Sequence, residues 1–301
     1  MIRVLALLLI LISAMDSLAQ DSTDPSSRHI VLDCDTANEI DDLYAIARML
    51  RQSEHDVLCL SSCQWFHYLG ERDSVGASQK DNEDMLRLLG RTDLPAPRGS
   101  DEPMGKPWGG TDAKDSPAAQ FIIQAAKQAS SEEKLVVICT GASTNLASAI
   151  KLAPEIAPKI EAYILGFQYN VKTGVWNKSE FNIRRDLNAA DFLLDQSALE
   201  LHIMPTSVAG QLKFDRGDSF ARQATMGDVG AYLTRKWTTK YPDAGRWTMW
   251  DVALVEAFLD PRLAEQKQVD TPPENRKRKV WMYTEIDEEE MRKRFWNAVQ
   301  R

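Results

Sequence analysis

The chain of 301 residues has only four cysteines and four histidines, and it lacks an excess of positive charge. Its formal net charge is −8 and its isoelectric point is about 5.2. Proteins that bind nucleic acids or membrane surfaces are usually basic, so we expect neither as a partner. A small neutral or cationic ligand, or a metal ion, suits this charge better. Self-association stays open.

The sequence also lacks an apolar run of the length that spans a membrane. The run Val4 to Ile12 is unbroken but too short for that purpose. It follows the basic residue Arg3 and precedes the small residues of Ser17-Leu18-Ala19. This pattern predicts a signal peptide over residues 1–19 that is cleaved after Ala19, and therefore a secreted or periplasmic protein without membrane attachment.

No internal repeat and no long low-complexity stretch follows the signal-like segment. Residues 20–28 are polar and are interpreted as a linker. Residues 29–301 are interpreted as a single domain, because this length can bury one large core. The apolar fraction of 44% and the charged fraction of 27% are typical of soluble globular proteins.

Three of the four cysteines, Cys34, Cys59 and Cys139, lie in or beside apolar runs that are typical of buried strands. Export would permit disulfides, also for Cys63. Buried cysteines in strands behave as small apolar side chains, so we expect free thiols rather than disulfides.

Short apolar runs alternate with helical patterns along the chain. Strands are predicted at residues 29–33, 56–62, 135–139, 161–165, 201–204 and 276–283. Helices are predicted at residues 41–51, 78–89, 116–129, 144–152, 187–194 and 287–299, and across most of 217–260. This alternation predicts an α/β fold with a mostly parallel central sheet and helices on both faces. Ligands of such folds bind beyond the carboxyl ends of the strands.

The segment from Asp33 to Asp42, with the sequence DCDTANEIDD, is the densest group of carboxylates. Asp33 and Asp35 leave the first strand, and Asp41 and Asp42 open the next helix. So many carboxylates on one loop repel one another unless a cation compensates. Oxygen ligands on a loop suit a hard divalent ion, so we predict a Ca²⁺ site.

An Asp-x-Asp after an apolar strand also resembles the phosphatases of the haloacid dehalogenase type. Their motif continues to a Thr or Val where this chain has Ala37, and it does not include the pair Asp41-Asp42. A phosphatase is therefore the weaker of the two enzyme interpretations.

Four segments in the same order resemble the inosine-uridine type nucleoside hydrolases. The first is Asp33 to Asp42, which resembles Asp-x-Asp-x-Gly-x-Asp-Asp but is two residues longer and lacks the glycine. The others are Thr140 to Ala147, Glu180-Phe-Asn182 and Trp250-Asp251. The resemblance covers essentially the whole chain after residue 28. It implies a Rossmann-like nucleoside hydrolase fold and the cleavage of a bond between ribose and a nucleobase.

The resemblance also implies the site residues. The Ca²⁺ ligands would be the carboxylates of Asp35, Asp42 and Asp251 and the backbone carbonyl of Thr140. Asp33 would orient the loop, and Asp41 would be the general base that takes a proton from the attacking water.

The ribose hydroxyls would contact Glu180 and Asn182, joined by Asn38. A further ribose-binding asparagine would be Asn177, with Asn170 as the alternative.

No side chain is an obvious acid for protonating the leaving base, because Trp250 stands where some family members have a histidine. A purine-preferring branch is similar in this respect, and its aromatic rings stack on the purine. Trp250 would therefore act on the leaving group, with Trp65 and Trp108 as further rings. His67 is the one histidine past a predicted strand's carboxyl end. The non-enzyme alternative is an exported protein that binds a nucleoside or a sugar without cleaving it.

Overall fold

The computed structural model describes residues 27–67, 71–106 and 109–300. The predicted signal peptide, its cleavage site and Trp108 lie outside these residues. Among the described residues, no helix has both the length and the hydrophobicity that crossing a bilayer requires.

A seven-stranded sheet forms the centre of the domain. Its strands, in spatial order, are β10 (Ala264–Asp270), β11 (Lys279–Ile286), β7 (Glu200–Met204), β4 (Ile160–Leu165), β3 (Leu135–Cys139), β1 (His29–Cys34) and β2 (Asp56–Ser62). All neighbours pair in parallel except β10 and β11, which are antiparallel. Two small hairpins pair β5 (Gln168–Asn170) with β6 (Val175–Asn177) and β8 (Lys213–Asp215) with β9 (Arg246–Thr248). The predicted mostly parallel sheet is confirmed.

Helices connect the strands and cover both faces of the sheet. In chain order they are α1 (Asp41–Arg51), α2 (Ser74–Leu88), α3 (Pro117–Gln128), α4 (Thr144–Leu152), α5 (Phe181–Arg185), α6 (Leu187–Leu194), α7 (Thr206–Ala209), α8 (Arg216–Gln223), α9 (Gly227–Lys240), α10 (Trp250–Leu259) and α11 (Glu288–Val299). Short 3₁₀ turns span Pro154–Lys159 and Pro261–Leu263.

Two apolar cores lie on opposite faces of the sheet. One contains side chains of α1, α10 and α11, including Ile46, Val255 and Phe295, and the other contains side chains of α3, α4 and α6, including Ile122 and Leu146. All five residues of β3 are buried, as expected for a central strand that is covered on both faces. Because all strands of the sheet except β10 run in parallel, their carboxyl ends share one edge.

The sequence pattern missed the strands that are short or polar. Both hairpins were missed because three-residue strands carry no readable alternation, and β10 was missed because its sequence, AEQKQVD, is largely polar. The last predicted strand begins three residues late in the structure, at Lys279, and α2 begins four residues earlier than predicted, at Ser74. All four cysteines are buried free thiols, which confirms that prediction.

Candidate active site

The predicted acidic residues meet in one cavity at the carboxyl edge of the sheet. Its volume is about 630 Å³. Asp35 lies on the loop after β1, Asp41 and Asp42 open α1, Thr140 follows β3, and Asp251 lies in the first turn of α10. The cavity is lined by Asp35, Asn38, Glu39, Asp41, Asp42, Thr140, Leu165, Gln168, Ser179, Glu180, Phe181, Asn182, Arg184, Thr206, Ser207, Trp250 and Asp251.

Four of these carboxylates are almost completely buried. Asp35, Asp41, Asp42 and Asp251 are each between 2% and 3% exposed. Burial raises the pKa of Asp35 and of Asp251 well above the ordinary value, and the negative charges of neighbouring aspartates raise it further. Arg184 is the one basic residue among the described residues that line the cavity. The charge of the aspartates is therefore largely uncompensated by side chains.

Hydrogen bonds hold the individual aspartates in place. Asp42 accepts a hydrogen bond from the hydroxyl of Thr140 at 2.7 Å, and Asp41 accepts one from the backbone N–H of Asp251 at 3.2 Å. The second bond joins the beginnings of α1 and α10, two helices that pack together. As a result, the side chains of Asp41, Asp42 and Asp251 share one end of the cavity.

These residues fit a hard divalent cation. Oxygen Oδ2 of Asp35 is buried without a hydrogen-bond partner among the described residues. A buried anionic oxygen without a partner is costly unless a cation or a water satisfies it. Asp35, Asp42 and Asp251 would hold such an ion through their carboxylates, and Thr140 would add its carbonyl, because oxygen-only ligands are those that Ca²⁺ prefers.

A second acidic group lies at the opposite, amino-terminal edge of the sheet. Nitrogen Nε2 of His202 is 3.6 Å from a carboxylate oxygen of Glu161 and 3.4 Å from one of Glu200. Arg28 pairs with Glu161, and Lys134 pairs with Glu200 at 2.7 Å. Arg28 and Lys134 already offset the negative charge of this group, so a metal ion would stabilise it less than it would stabilise the aspartate cavity.

Asp33, in β1, lies beneath the cavity, and its side chain contacts β2 and α4. Its oxygen Oδ1 accepts hydrogen bonds from the hydroxyl of Ser61 at 2.6 Å and from the side-chain amide of Asn145 at 2.9 Å. Burial raises the pKa of Asp33 to about 6, although these two bonds oppose the shift. Asp33 does not line the cavity, so its predicted place behind the ligand loop agrees with its contacts.

A polar wall of the cavity is formed by Glu180, the residue before α5, and Asn182, in its first turn. Glu180 caps that helix, since its carboxylate accepts a hydrogen bond from the N–H of Ile183 at 3.1 Å. The side-chain amide of Asn182 donates to the carbonyl oxygens of Thr140, at 2.6 Å, and Leu165, at 3.2 Å. Asn182 therefore ties this wall to the ends of β3 and β4.

Several predicted substrate residues lie elsewhere. Asn177 is exposed on β6, where it contacts Gln168 and the N–H of Ser179, and Asn170 closes the hairpin turn by accepting from the N–H groups of residues 172 and 173. Neither asparagine is among the lining residues, although Asn177 contacts Gln168, which does line the cavity. Trp65 is buried outside the cavity, and its indole N–H donates a hydrogen bond to the hydroxyl of Ser78. His67 is also outside the lining and meets Phe181 edge-on at 6.0 Å between ring centroids.

Sequence reasoning missed several lining residues. Gln168 follows β4, and Thr206 and Ser207 follow β7, so their position after a strand's carboxyl end was the available signal. Glu39 was also missed, although it lies within the acidic segment. Burial raises the pKa of Glu39 to about 7, against the opposing positive charge of Lys240.

The raised pKa values predict how stability depends on pH in metal-free buffer. The folded protein holds protons on Asp33 and Glu39 that the unfolded chain releases above a pKa of about 4. Their stabilising contribution is complete below that pH and is lost as the pH rises to about 7. Metal-free protein is therefore expected to melt at a higher temperature at pH 5 than at pH 8 in scanning calorimetry. Ca²⁺ should raise the melting temperature mainly at pH 8, since carboxylate ligands must be deprotonated. A higher melting temperature of the metal-free protein at pH 8 than at pH 5 would contradict the raised pKa values of Asp33 and Glu39.

Comparison with known proteins gives consistent matches. A family model described as inosine-uridine preferring nucleoside hydrolase matches residues 30–295. The probable uridine nucleosidase 2 of Arabidopsis thaliana is 26% identical over 238 residues, which cover 69% of this chain and 68% of that protein. The pyrimidine-specific ribonucleoside hydrolase RihA of Escherichia coli is 29% identical over 182 residues, and this match spans only 56% of RihA.

Solved structures resemble the fold over most of its length. A plant nucleoside hydrolase, PpNRh1, superimposes with a TM-score of 0.69 at 18% identity, covering 91% of this chain and 99% of that one. A purine-preferring ribonucleoside hydrolase from Gardnerella vaginalis gives a TM-score of 0.69 at 20% identity, covering 91% and 98%. At these identities the likeness shows the fold alone.

Proposed function

Because this chain belongs to the inosine-uridine preferring nucleoside hydrolase family, we propose that it hydrolyses the N-glycosidic bond of ribonucleosides with Ca²⁺ as its metal ion. The products would be ribose and a free base. The observation that carries the proposal is the cavity in which four buried aspartates face Glu180 and Asn182. Such an arrangement offers a cation site and a polar wall for sugar hydroxyls at the expected edge of the sheet.

Asp41 is the proposed proton acceptor. Its carboxylate is anchored at the start of α10 through the N–H of Asp251, and it lines the cavity beside the proposed metal ligands. A bound Ca²⁺ would polarise water and the ribose 2′- and 3′-hydroxyls. Asp41 would then take a proton from the water that attacks the ribose carbon.

The sugar would lie between the aspartates and the wall formed by Glu180 and Asn182, with Asn38 at the side. The two amide hydrogens of Asn182 are used on backbone carbonyls, so its side-chain oxygen is the atom that can accept from a hydroxyl. Carboxylates around the ring would favour the positive charge that develops on the sugar as the base departs.

Trp250 is the proposed aromatic contact of the leaving base. It lines the cavity next to Asp251, and no histidine, lysine, tyrosine or cysteine is among the described lining residues. A flat indole face favours a base that is gaining positive charge. This arrangement supports a preference for purines, although relatives named for purines and for pyrimidines both resemble the chain.

Turnover of a nucleoside panel tests the proposal. We expect release of free base from inosine, guanosine and uridine, lost in the presence of a calcium chelator and restored by added Ca²⁺. The same panel should raise the melting temperature. If the nucleosides raise it without any release of base, the protein is a binding protein and the hydrolase proposal is wrong. Release of phosphate from an aryl phosphate with Mg²⁺ would instead indicate a phosphatase.

The role of Trp250 predicts a dependence on the leaving group. Trp250→Ala should lower kcat for inosine much more than for a p-nitrophenyl riboside, because p-nitrophenolate departs without protonation. Steady-state rates on both substrates measure the effect. Trp250→Phe, which keeps an aromatic face, should retain more of the inosine activity. Equal losses on both substrates would show that the ring only shapes the cavity. A selective loss of inosine turnover in His67→Ala would move the acid role to His67.

The sequence before residue 29 carries a further proposal. The pattern around Ala19 supports export to the periplasm or the medium, followed by cleavage after that residue. Amino-terminal sequencing of the exported protein should then begin at Gln20.

A further inference from the structure

The loop between β1 and α1 takes its shape without a glycine. It runs from Asp35 to Ile40, and the acidic segment around it is two residues longer than the motif it resembles. Among the described residues, Phe167 is the one non-glycine residue with a positive φ, so the backbone of this loop lies in ordinary regions. Its own backbone adds one turn bond, from the N–H of Asn38 to the carbonyl of Asp35 at 2.7 Å. A longer loop has more conformational freedom to lose, so other contacts must hold it.

Those contacts converge on the backbone N–H and carbonyl of Ala37. The N–H of Ala37 donates to the hydroxyl of Ser78 in α2 at 3.3 Å. The carbonyl of Ala37 accepts a hydrogen bond from the ammonium of Lys240, the last residue of α9. Next to it, the hydroxyl of Thr36 donates to the side-chain oxygen of Asn82. Two helices outside the β1–α1 unit therefore fix the middle of the loop.

Trp65 supports both of these contacts. Its indole N–H donates to the hydroxyl of Ser78 at 3.1 Å, and the ammonium of Lys240 lies 5.8 Å from its ring centroid. The indole is 6% exposed and stands behind the loop rather than in the cavity. We call Trp65, Ser78 and Lys240 the Ala37 clamp. The tryptophan is placed to orient the clamp, since an indole face attracts a cation near it.

We propose that Lys240 is a positioning residue whose bond to the Ala37 carbonyl sets the affinity of the site for its metal ion. The inference rests on the proposed Ca²⁺ site and extends it. Asp35 lies two residues before Ala37, so the clamp determines where the Asp35 carboxylate stands relative to Asp42 and Asp251. Groups that orient metal ligands from behind typically change metal affinity by roughly 10–100-fold when they are removed.

The direction in which the Ca²⁺ affinity changes when Lys240 is removed distinguishes a positioning role from a purely electrostatic one. The positive charge of Lys240 acts on Asp35 and Glu39 and therefore repels a metal ion. If charge were its only contribution, removing it would tighten the binding of Ca²⁺. If it positions the loop, removing it weakens the binding. Lys240 is exposed at the surface, so a substitution there leaves the core intact.

The experiment is a calorimetric titration with Ca²⁺ alone. Lys240→Met is expected to raise the dissociation constant by roughly 10–100-fold. Lys240→Arg, which keeps the charge and can still donate to the Ala37 carbonyl, should recover most of the affinity. Arg235→Met removes one positive charge from the same helix without touching the loop and should bind as the wild type does. Unchanged or tighter binding by Lys240→Met would overturn the proposal.

Amide hydrogen exchange of the metal-free protein gives the second measurement. Residues 36–40 should exchange faster in Lys240→Met and in Ser78→Ala than in the wild type and in Arg235→Met, because each of the first two variants removes one clamp contact. Unchanged exchange in Lys240→Met would also overturn the proposal. If the wild type binds no Ca²⁺, the proposed metal ion is wrong, and the exchange measurement still decides whether Lys240 holds the loop.

Discussion

Asp41→Asn is expected to lower kcat by roughly 10²–10⁴-fold, because the variant cannot take the proton of the attacking water. The fold should persist. An asparagine oxygen at this position can still accept the hydrogen bond that Asp41 accepts from the N–H of Asp251 at 3.2 Å. Binding of Ca²⁺ should stay close to that of the wild type, since Asp41 is not one of the proposed ligands. Steady-state kinetics and calcium calorimetry on the same preparation measure both quantities.

Two results would contradict this role for Asp41. Near-normal turnover by Asp41→Asn would mean that another group accepts the proton, and Glu39 would be the next candidate because it lines the same cavity. Loss of Ca²⁺ binding together with loss of activity would instead make Asp41 a metal ligand. The p-nitrophenyl riboside serves as a control, since it still needs attack by water and should show a loss similar to that with inosine.

Asp42→Ala and Asp251→Ala are each expected to abolish Ca²⁺ binding and hydrolysis together. Each variant removes one of only a few protein oxygens available to the ion. Asp42 and Asp251 approach from different helices, α1 and α10, so neither can replace the other. Calcium calorimetry and base release from inosine measure the two losses.

Stability measurements separate this loss from misfolding. In metal-free buffer at pH 8, removing a buried carboxylate relieves the repulsion that Asp35 and Asp251 show with their neighbouring aspartates, so neither variant should melt below the wild type. Asp228→Ala, at an exposed position of α9, serves as the matched control and should retain full activity. Unchanged Ca²⁺ affinity in both Asp42→Ala and Asp251→Ala would remove the assignment of the metal site.

The acidic cavity was predictable because its residues occupy simple positions along the chain. Asp35 follows a buried strand, Asp41 and Asp42 open a helix, and Thr140 follows another buried strand. In a parallel sheet these positions share one edge, so chemistry and topology agree. Gln168, Thr206 and Ser207 occupy equivalent positions after β4 and β7, and closer attention to strand ends would have found them.

The aromatic residues were harder to place. Stacking on a base was predicted first for Trp250, because it precedes Asp251, and Trp65 was a further candidate. The structure lines the cavity with Trp250 and buries Trp65 against Ser78. An indole is at once a large apolar surface and a hydrogen-bond donor, so its type alone does not indicate which surface it joins.

The sequence by itself determined the alternation of the main strands and helices, the mostly parallel sheet and the carboxylates at its carboxyl edge. These features follow from local periodicity and from residues adjacent along the chain, which a single sequence displays directly. Only the tertiary structure decided that Lys240 holds the Ala37 carbonyl and that Asn182 bonds to the carbonyl of Thr140 at the end of β3. Each of these contacts joins segments separated by many residues, and its energy depends on distances of a few ångströms that only the packed helices and strands set.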